Sequence, residues 1–491
     1  MDDDLTDFNA KASLEPEDWT DFRRRAHETL DRALDKLDQA RTGRVWTPVP
    51  ESVDAQIERA LSASPLGAEG LDDVLASLLP YGVGNTHPRF LGWVHGSGTP
   101  FGLLPAMIEA AINANCGGRD HVGLRVERAL SDWVAQQFGF PKTASGLVVT
   151  GTSMATVVAM KVARDAALGF ASRDAGVDGS KLVAYSSAEA HACNARALDI
   201  LGLGATALRK IPVNAAFRID LRTLKAAISE DRAAGLVPFA IIGTAGTVNT
   251  GAIDELDDIA DIAEAEGLWF HIDGAFAASG ILSEELAPKL SGIDRADSIA
   301  FDFHKWLHVN YDAGFVLVRD EALHRQAFST RPDYLKATER GLAAGNPWPV
   351  EYGPELSRGF RALKIWAHIA EFGPERLGAT ISDNCQLVRK LAALVDAAAS
   401  FERLAPVETS ICCFRYVADR LSDADLDALN EEIVIRLHET GVAAPSTTRV
   451  KGKLAIRVNI TNHRTRESDL HLLLDAIREL ATEALEKLGK A

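Results

Sequence analysis

The chain is expected to be an α/β protein: a mostly parallel sheet with helices on both faces, preceded by a helical segment and followed by a small α+β domain. Three observations predict this. From about residue 86, short runs that are apolar throughout alternate with longer helical ones, the pattern of strands buried on both faces and crossed over by helices. After about residue 370 the texture changes to helix, a few strands and a final helix. The composition, 47% hydrophobic and 25% charged over 491 residues, is that of an ordinary globular protein, and the length allows one large domain with attachments or two to three domains. The expected division is a helical dimerisation segment over 1–85, a large domain over 86–370 and a small domain over 371–491.

Taken in order, residues 16–38 carry Phe22, Ala26, Leu30, Ala33, Leu34 and Leu37 on one stripe, which predicts an amphipathic helix with Pro16 in its first turn. Such a stripe must be covered, and a partner subunit is the expected cover. TGRVWTPVPESV (42–53) breaks the pattern with Gly and Pro and reads as an extended connector. Strands are predicted at 145–151, 181–187, 238–246, 267–273, 297–302 and 315–320, with helices such as 155–167 and 255–267 between them. Residues 358–373 form a helical bridge ending at Gly373. The last helix aligns Leu470, Leu473, Leu474, Ile477, Leu480, Ala484 and Leu488, with Ser468 placed to cap it.

Charge and cysteine usage remove several function classes. A net charge of −17 and a pI near 5.3 argue against a general nucleic-acid partner, which would need a basic face. Cys116, Cys193, Cys385, Cys412 and Cys413 lack metal-type spacing, so they read as reduced core thiols and no metal site is expected. The start, MDDDLTDF, lacks a charged-then-apolar signal pattern, and no apolar run is long enough to span a bilayer. A cytoplasmic setting without membrane association is the expectation.

The most informative stretch is AFDFHKWLHVNYDAG (300–314), one short segment after HIDGAF (271–276). A lysine that follows an apolar run and abuts aromatics suits Schiff-base chemistry, because desolvation pushes it towards its neutral, nucleophilic amine. An aspartate ending the strand LWFHID can pair with a protonated pyridine nitrogen and strengthen the ring as an electron sink. Lys305 and Asp273 together outline a pyridoxal phosphate site; a buried structural ion pair is the alternative. In parallel sheets ligands lie beyond the carboxyl ends of the strands, where Asp273 and Thr152-Ser153 both fall.

Other residues fit the same picture. GTSMA (151–155) closes a strand and opens a helix, so Thr152 and Ser153 can offer N–H and hydroxyl donors to a phosphate, or serve as an ordinary cap. His191 can stack on the pyridine ring or be a plain loop histidine. Ala275 is small enough to press on the opposite face. His304 can reach the phosphate or a substrate carboxylate, and Thr247 can approach the cofactor's oxygen edge or simply close a turn.

The order of these motifs resembles the pyridoxal phosphate-dependent group II amino-acid decarboxylases, the family of aromatic L-amino-acid, glutamate and histidine decarboxylases. The likeness runs through NTHPRFLGWVHGSG (85–98), GLVVTGTSMAT (146–156), EAHACNARA (189–197), GTVNTGAIDEL (246–256), WFHIDGAFAAS (269–279), FDFHKWLHVNYD (301–312) and LSRGFRALKIW (356–366). It implies the type I, aspartate-aminotransferase-like fold and a homodimer with active sites at the interface. It makes Lys305 the Schiff-base lysine, Asp273 the partner of the pyridine nitrogen and His191 the stacking histidine. It also places Ala275 under the ring, Thr152 and Ser153 near the phosphate, and His304 beside the lysine.

Two departures from the family pattern bear on function. The family's tyrosine on a mobile loop, which protonates the substrate carbon after carbon dioxide leaves, should fall within 328–352. A gapless count back from LSRGFRALK puts Pro349 there, with Tyr334 and Tyr352 nearby. In NANCGGRDH (113–121), Asn115, Gly117 and Arg119 replace bulky apolar pocket residues, while Trp93 and His95 still supply flat surfaces. Arg119 can pair with an acidic substrate, or with Asp120 or Glu127.

The expected activity is therefore decarboxylation of an L-amino acid, aromatic by preference, to the amine. The alternatives are oxidative decarboxylation–deamination to an aldehyde, motivated by Pro349, and action on an acidic or sulfinic amino acid, motivated by 113–121. An aminotransferase would use Arg457 for the α-carboxylate. A non-catalytic scaffold has no use for a buried lysine opposite a carboxylate.

Overall fold

A computed structural model of the chain describes residues 14–61, 64–330, 338–419 and 421–487. Its strands, in chain order, are β1 (Phe90–Leu91), β2 (Ser145–Val149), β3 (Leu182–Ser187), β4 (Leu208–Ile211), β5 (Val237–Thr244), β6 (Trp269–Asp273), β7 (Ser298–Asp302), β8 (Gly314–Val318), β9 (Phe401–Arg403), β10 (Ile411–Tyr416), β11 (Ala444–Val450) and β12 (Lys453–Asn459).

Seven of them form one sheet in the order β2-β8-β7-β6-β5-β3-β4. All pairings are parallel except those of β8, which runs antiparallel to both β2 and β7. The six runs expected as strands are all present. The strand the pattern did not announce is β4, whose LRKI carries two cations and sits at an edge, where a strand need bury only part of its surface.

Alternation along the strands explains the two covered faces. On β2, Val148 joins the core that contains Phe270, Ile272 and Trp306, while Leu147 and Val149 face a second core built with Ala155, Val158 and Val162 of the helix Thr152–Ala167. On β5, Ile241 and Ile242 divide between two cores in the same way. This helix-covered, mostly parallel sheet is the type I architecture.

The second sheet has the order β1-β11-β12-β10-β9 and is antiparallel apart from β1 on β11. Adjacent Cys412 and Cys413 point to its opposite faces and join different cores; all five cysteines are free and buried. The bridging helix starts at Arg361 and runs to Asp396, with a break at Gly373 (φ 68°) before Pro374, which cannot donate to the preceding turn.

Several end positions differ from the sequence expectation. The first helix spans Trp19–Asp38 and is capped by Asp18, whose carboxylate accepts from the Thr20 N–H at 2.7 Å, so Pro16 lies before it. The last three residues of the expected connector, 51–53, are already helical and open the helix Glu51–Ala60. Ser468 is the second residue of the helix Glu467–Lys487, and Leu488 lies outside the described residues. No residue of Trp19–Asp38 is buried in the single chain; Phe22 and Leu34 stay more than 40% exposed. Among the described residues, no helix is long and apolar enough to cross a membrane.

Candidate active site

The carboxyl ends of β6 and β7 and the turn leaving β2 converge on a cavity of about 470 Å³, within the usual size of cofactor pockets. Asp273 ends β6 and Asp302 ends β7; both side chains are buried. Lys305 follows three residues on. Trp93, His95, Thr152, Ser153, His191, Ala275 and His304 line the same space.

Asp273 is held in place from both sides. Its Oδ2 accepts from Asn194 Nδ2 at 2.9 Å, and its Oδ1 accepts from the Ala275 N–H at 3.3 Å. A carboxylate so anchored keeps a defined direction into the cavity at little further entropic cost. His191 also lines the cavity, and its Nδ1 accepts from the Cys193 N–H at 3.2 Å. That bond leaves the proton on Nε2 when the ring is neutral.

Lys305 departs from the expected chemistry. Its Nζ lies 2.7 Å from Asp302 Oδ2, in a pair whose acid is almost fully buried. Burial pulls the lysine down, but the charge and hydrogen bond of Asp302, joined by Asp273, outweigh it and hold the ammonium above its ordinary range. Desolvation alone therefore does not deliver a neutral amine here; the paired carboxylates decide the protonation state. Asp302 also reaches the phosphate-side turn, since its Oδ1 accepts from the Thr152 N–H at 2.7 Å.

His304 is fixed between these groups. Its Nδ1 accepts from the Ala313 N–H at 2.9 Å, and its Nε2 sits 3.7 Å from Asp302 Oδ2. Burial holds it below the ordinary histidine value, as burial and then Lys305 do for His95. Tyr311 lies against His304 with ring centroids 4.3 Å apart. Gly96 makes the wall possible: a Cβ there would stand 1.9 Å from His304 O and 2.7 Å from Lys305 O.

The residues present fit pyridoxal phosphate. Thr152 Oγ1 is buried without a protein partner at the start of the helix Thr152–Ala167, where an anion would satisfy it and meet the positive end of the helix dipole. Ser153 is exposed to the cavity beside it. Ala275, small and hydrogen-bonded through its N–H to Asp273, lines the cavity together with His191.

Four expected site residues lie elsewhere in the chain. Thr247 is fully buried in a turn closed on itself: its Oγ1 accepts from the Ala252 N–H at 3.1 Å and sits 3.1 Å from Thr250 Oγ1. Its neighbours Thr244, Gly246 and Val248 line the cavity instead. Asn115 uses its Oδ1 to accept from the N–H groups of Gly117 and Arg358, both at 3.0 Å. Arg119 places its guanidinium 4.9 Å from the centre of the Trp348 ring; Asp120 pairs with Arg125 and Glu127 with Arg358, so neither expected ion pair forms. The segment 113–121 thus packs on 342–358, not on this chain's cavity. Tyr352 is buried with its hydroxyl 2.5 Å from Glu321 Oε1, away from the site, and Pro349 opens a short 3₁₀ turn. Tyr334 lies outside the described residues.

Asp302, Asn194 and Tyr311 were not singled out from the sequence. Asp302 carried a readable signal: it ends the apolar strand SIAFD as Asp273 ends WFHID. Asn194 and Tyr311 carried none beyond nearness to His191 and Lys305.

Comparison with known proteins agrees with this geometry. Residues 50–417 match the family model described as the pyridoxal-dependent decarboxylase conserved domain. An aromatic-L-amino-acid decarboxylase of Bacillus atrophaeus is 32% identical over 94% of this chain and 96% of its own length. A phenylacetaldehyde synthase of Arabidopsis thaliana is 29% identical over 85% of this chain and 86% of its own. The crystal structure of Catharanthus roseus tryptophan decarboxylase in complex with L-tryptophan superposes with a TM-score of 0.83 at 25% identity, covering 96% of this chain and all of that one.

Proposed function

From the premise that this chain belongs to the pyridoxal-dependent decarboxylase family, we propose that it converts an aromatic L-amino acid to its amine and carbon dioxide. The enzyme is a pyridoxal phosphate-dependent amino-acid decarboxylase. What carries the aromatic preference is the cavity wall: Trp93, His95 and Tyr311 place three flat surfaces around Lys305, with Trp93–His95 centroids 6.1 Å apart and His95–Tyr311 centroids 6.2 Å apart. Flat apolar walls of this kind favour an aromatic ring over an acidic side chain, and Arg119, the cation that motivated an acidic substrate, is occupied by Trp348.

When bound, the cofactor supplies an electron sink for the bond that breaks at the substrate's α-carbon. In the proposed assignment, Lys305 would hold the cofactor through its amine, with Asp302, 2.7 Å away, placed to accept a proton from it. Asp273 holds a proton on the ring nitrogen through a charge-assisted hydrogen bond. Thr152 and Ser153 would hold the phosphate, and His191 and Ala275 would contact the ring. His304, tied to Ala313, holds Lys305's surroundings in position.

A cytoplasmic homodimer is part of the proposal. The uncovered stripe of Trp19–Asp38, with Trp19 and Phe22, and the exposed Leu104, Ile108 and Ile112 of the helix Leu103–Ile112 are faces a second copy would bury. The division into 1–85, 86–370 and 371–491 is proposed on the same basis, the first segment serving dimerisation.

The deciding experiment incubates purified, cofactor-loaded enzyme with a panel of amino acids under air and under nitrogen, with products read by mass spectrometry. Amine from aromatic substrates, lost in Lys305→Ala together with borohydride-fixed label at position 305, is the expected result. Carbon dioxide from acidic substrates alone refutes the aromatic assignment. Oxygen consumption with aldehyde and ammonia in the wild type would instead favour the second outcome, which the absence of a tyrosine at position 349 motivates.

A further inference from the structure

A phosphate monoester brings about two negative charges at neutral pH, and the cavity proposed to receive it is already acidic. Among the described residues lining that cavity, the carboxylates are Asp273 and Asp302, and the one lysine or arginine is Lys305. We propose that Asp302 is a positioning residue that opposes the cofactor's phosphate: its carboxylate takes the first N–H of the helix Thr152–Ala167 and keeps the Lys305 ammonium to itself, so that the enzyme holds pyridoxal phosphate exchangeably. This deepens the assignment above and rests on its placement of the phosphate at Thr152 and Ser153.

The geometry is that of a competitor. Asp302 Oδ1 accepts from the Thr152 N–H at 2.7 Å, and Oδ2 lies 2.7 Å from Lys305 Nζ. A Cβ on Gly151 would stand 3.7 Å from that same Oδ1, so the carboxylate runs along the turn whose Thr152 and Ser153 hydroxyls would meet the phosphate. The N–H groups of Met154 and Ala155 are directed to Gly151 O, at 3.0 and 3.1 Å. Asp302 therefore draws on one of the few donors left at this helix start, where an anion would otherwise be favoured.

The charge of Asp302 is met by Lys305 rather than by its histidine neighbour. His304 Nε2 is 3.7 Å from Oδ2, but burial holds that imidazole below its ordinary value. Lys305 is committed in turn: burial pulls it down, yet the charge and hydrogen bond of Asp302 hold it above its ordinary range, with Asp273 and Tyr311 adding to the effect. To attach the cofactor, the amine must give up the proton that Asp302 helps it keep, and the phosphate must settle beside an anion. One carboxylate sets both penalties. A plain cap for the helix start needs only an acceptor oxygen, which asparagine also has, so the charge is what separates the two roles.

The test measures binding to cofactor-free enzyme by titration calorimetry. One probe is 4′-deoxypyridoxine 5′-phosphate, which has the ring and phosphate but no aldehyde for Lys305; the other is pyridoxine, which lacks the phosphate. A neighbouring charge changes the proton affinity of a buried group by about 10–10³-fold, and a phosphate in an open cavity should respond at the low end of that range. Asp302→Asn should bind the phosphorylated probe about 10-fold more tightly than the wild type or better, and pyridoxine about equally. Asp302→Ser carries the same expectation, and a gain of this kind does not arise from a damaged fold. Lys305→Ala, which strips the carboxylate of its cation, should weaken the phosphorylated probe by a similar factor, and adding Asp302→Asn should recover the loss. Acetylation of Lys305 across pH, read by peptide mass spectrometry, should show a midpoint above the ordinary lysine value in the wild type and a lower one in Asp302→Asn. Equal or weaker binding of the phosphorylated probe in both Asp302 variants, an equal gain for pyridoxine, no recovery in the double variant, or an unmoved midpoint each overturns the inference. Thr152→Val with Ser153→Ala should erase the preference for the phosphorylated probe. If the preference stays, the phosphate placement fails and the inference with it; if it goes and the Asp302 variants gain nothing, only the role of Asp302 falls.

Discussion

Replacing Arg358 with methionine probes the buried pair that braces β2, the strand whose exit turn lines the site. Its guanidinium binds Glu127 through both oxygens, at 2.5 and 2.9 Å, with side-chain exposures of only 3% and 6%. It also donates to Val148 O at 2.6 Å and Cys116 O at 3.1 Å, while the Val148 N–H donates to Glu127 at 3.0 Å. Val148 belongs to β2, and the turn leaving β2 carries Thr150, Gly151 and Thr152 into the cavity. Arg358→Met leaves a buried carboxylate with a single backbone donor, a loss of about 3–5 kcal/mol. The double replacement Glu127→Leu/Arg358→Met removes the stranded charge, leaving the carbonyls of Val148 and Cys116 and the Val148 N–H without these partners, at about 1 kcal/mol each. Equilibrium urea unfolding of Arg358→Met, Glu127→Leu and the double variant, with pyridoxal phosphate retention measured on each, provides the check. A single-mutant loss under about 1 kcal/mol, or a double-mutant loss equal to the sum of the singles, would refute the coupling.

Acid should destabilise the chain well above the carboxylate range. Burial holds His87, His324, His368 and His463 at about 4, below the ordinary 6.5. The unfolded chain then binds protons the folded one refuses, so stability is full above 6.5 and is lost as pH falls from there towards 4, by up to about 1.4 kcal/mol per pH unit for each ring. Asp254, pushed up to about 6 by burial, opposes this with one proton only. A urea midpoint at pH 5 equal to or above that at pH 7.5 would contradict the balance. Gly96→Ala should push His304 and Lys305 aside and cut turnover by about 10-fold or more, since catalytic geometry tolerates little displacement; unchanged kcat/KM with bound cofactor would count against it. Phe22→Glu with Leu34→Glu should shift the enzyme towards monomer in light scattering, and an unaltered mass would exclude that helix from the interface.

Much of the fold was legible because strand and helix periodicity is local. Short apolar runs such as SIAFD and WFHID announce strands buried on both faces, and the aspartates that end them announce the ligand edge. The same logic overlooked β4, because LRKI has too few apolar residues to stand out. It also misplaced Asn115, Arg119 and Tyr352. Their residue types suit a pocket, but which wall they join depends on how 113–121 packs against 342–358, and no periodicity encodes that.

The amino-acid sequence alone determined the architecture, the family and the presence of a lysine and a carboxylate suited to pyridoxal phosphate. Only the tertiary structure decided that Lys305 is paired with Asp302, that Asn194 steadies Asp273, and that Tyr311 lies against His304 in the cavity wall. The reason is physical: Asp273 and Asn194 are 79 positions apart, and Thr152 and Asp302 are 150 apart. Their contact is produced by the order in which strands are laid into the sheet, and the charge state of a buried lysine follows from which carboxylate that order brings to it.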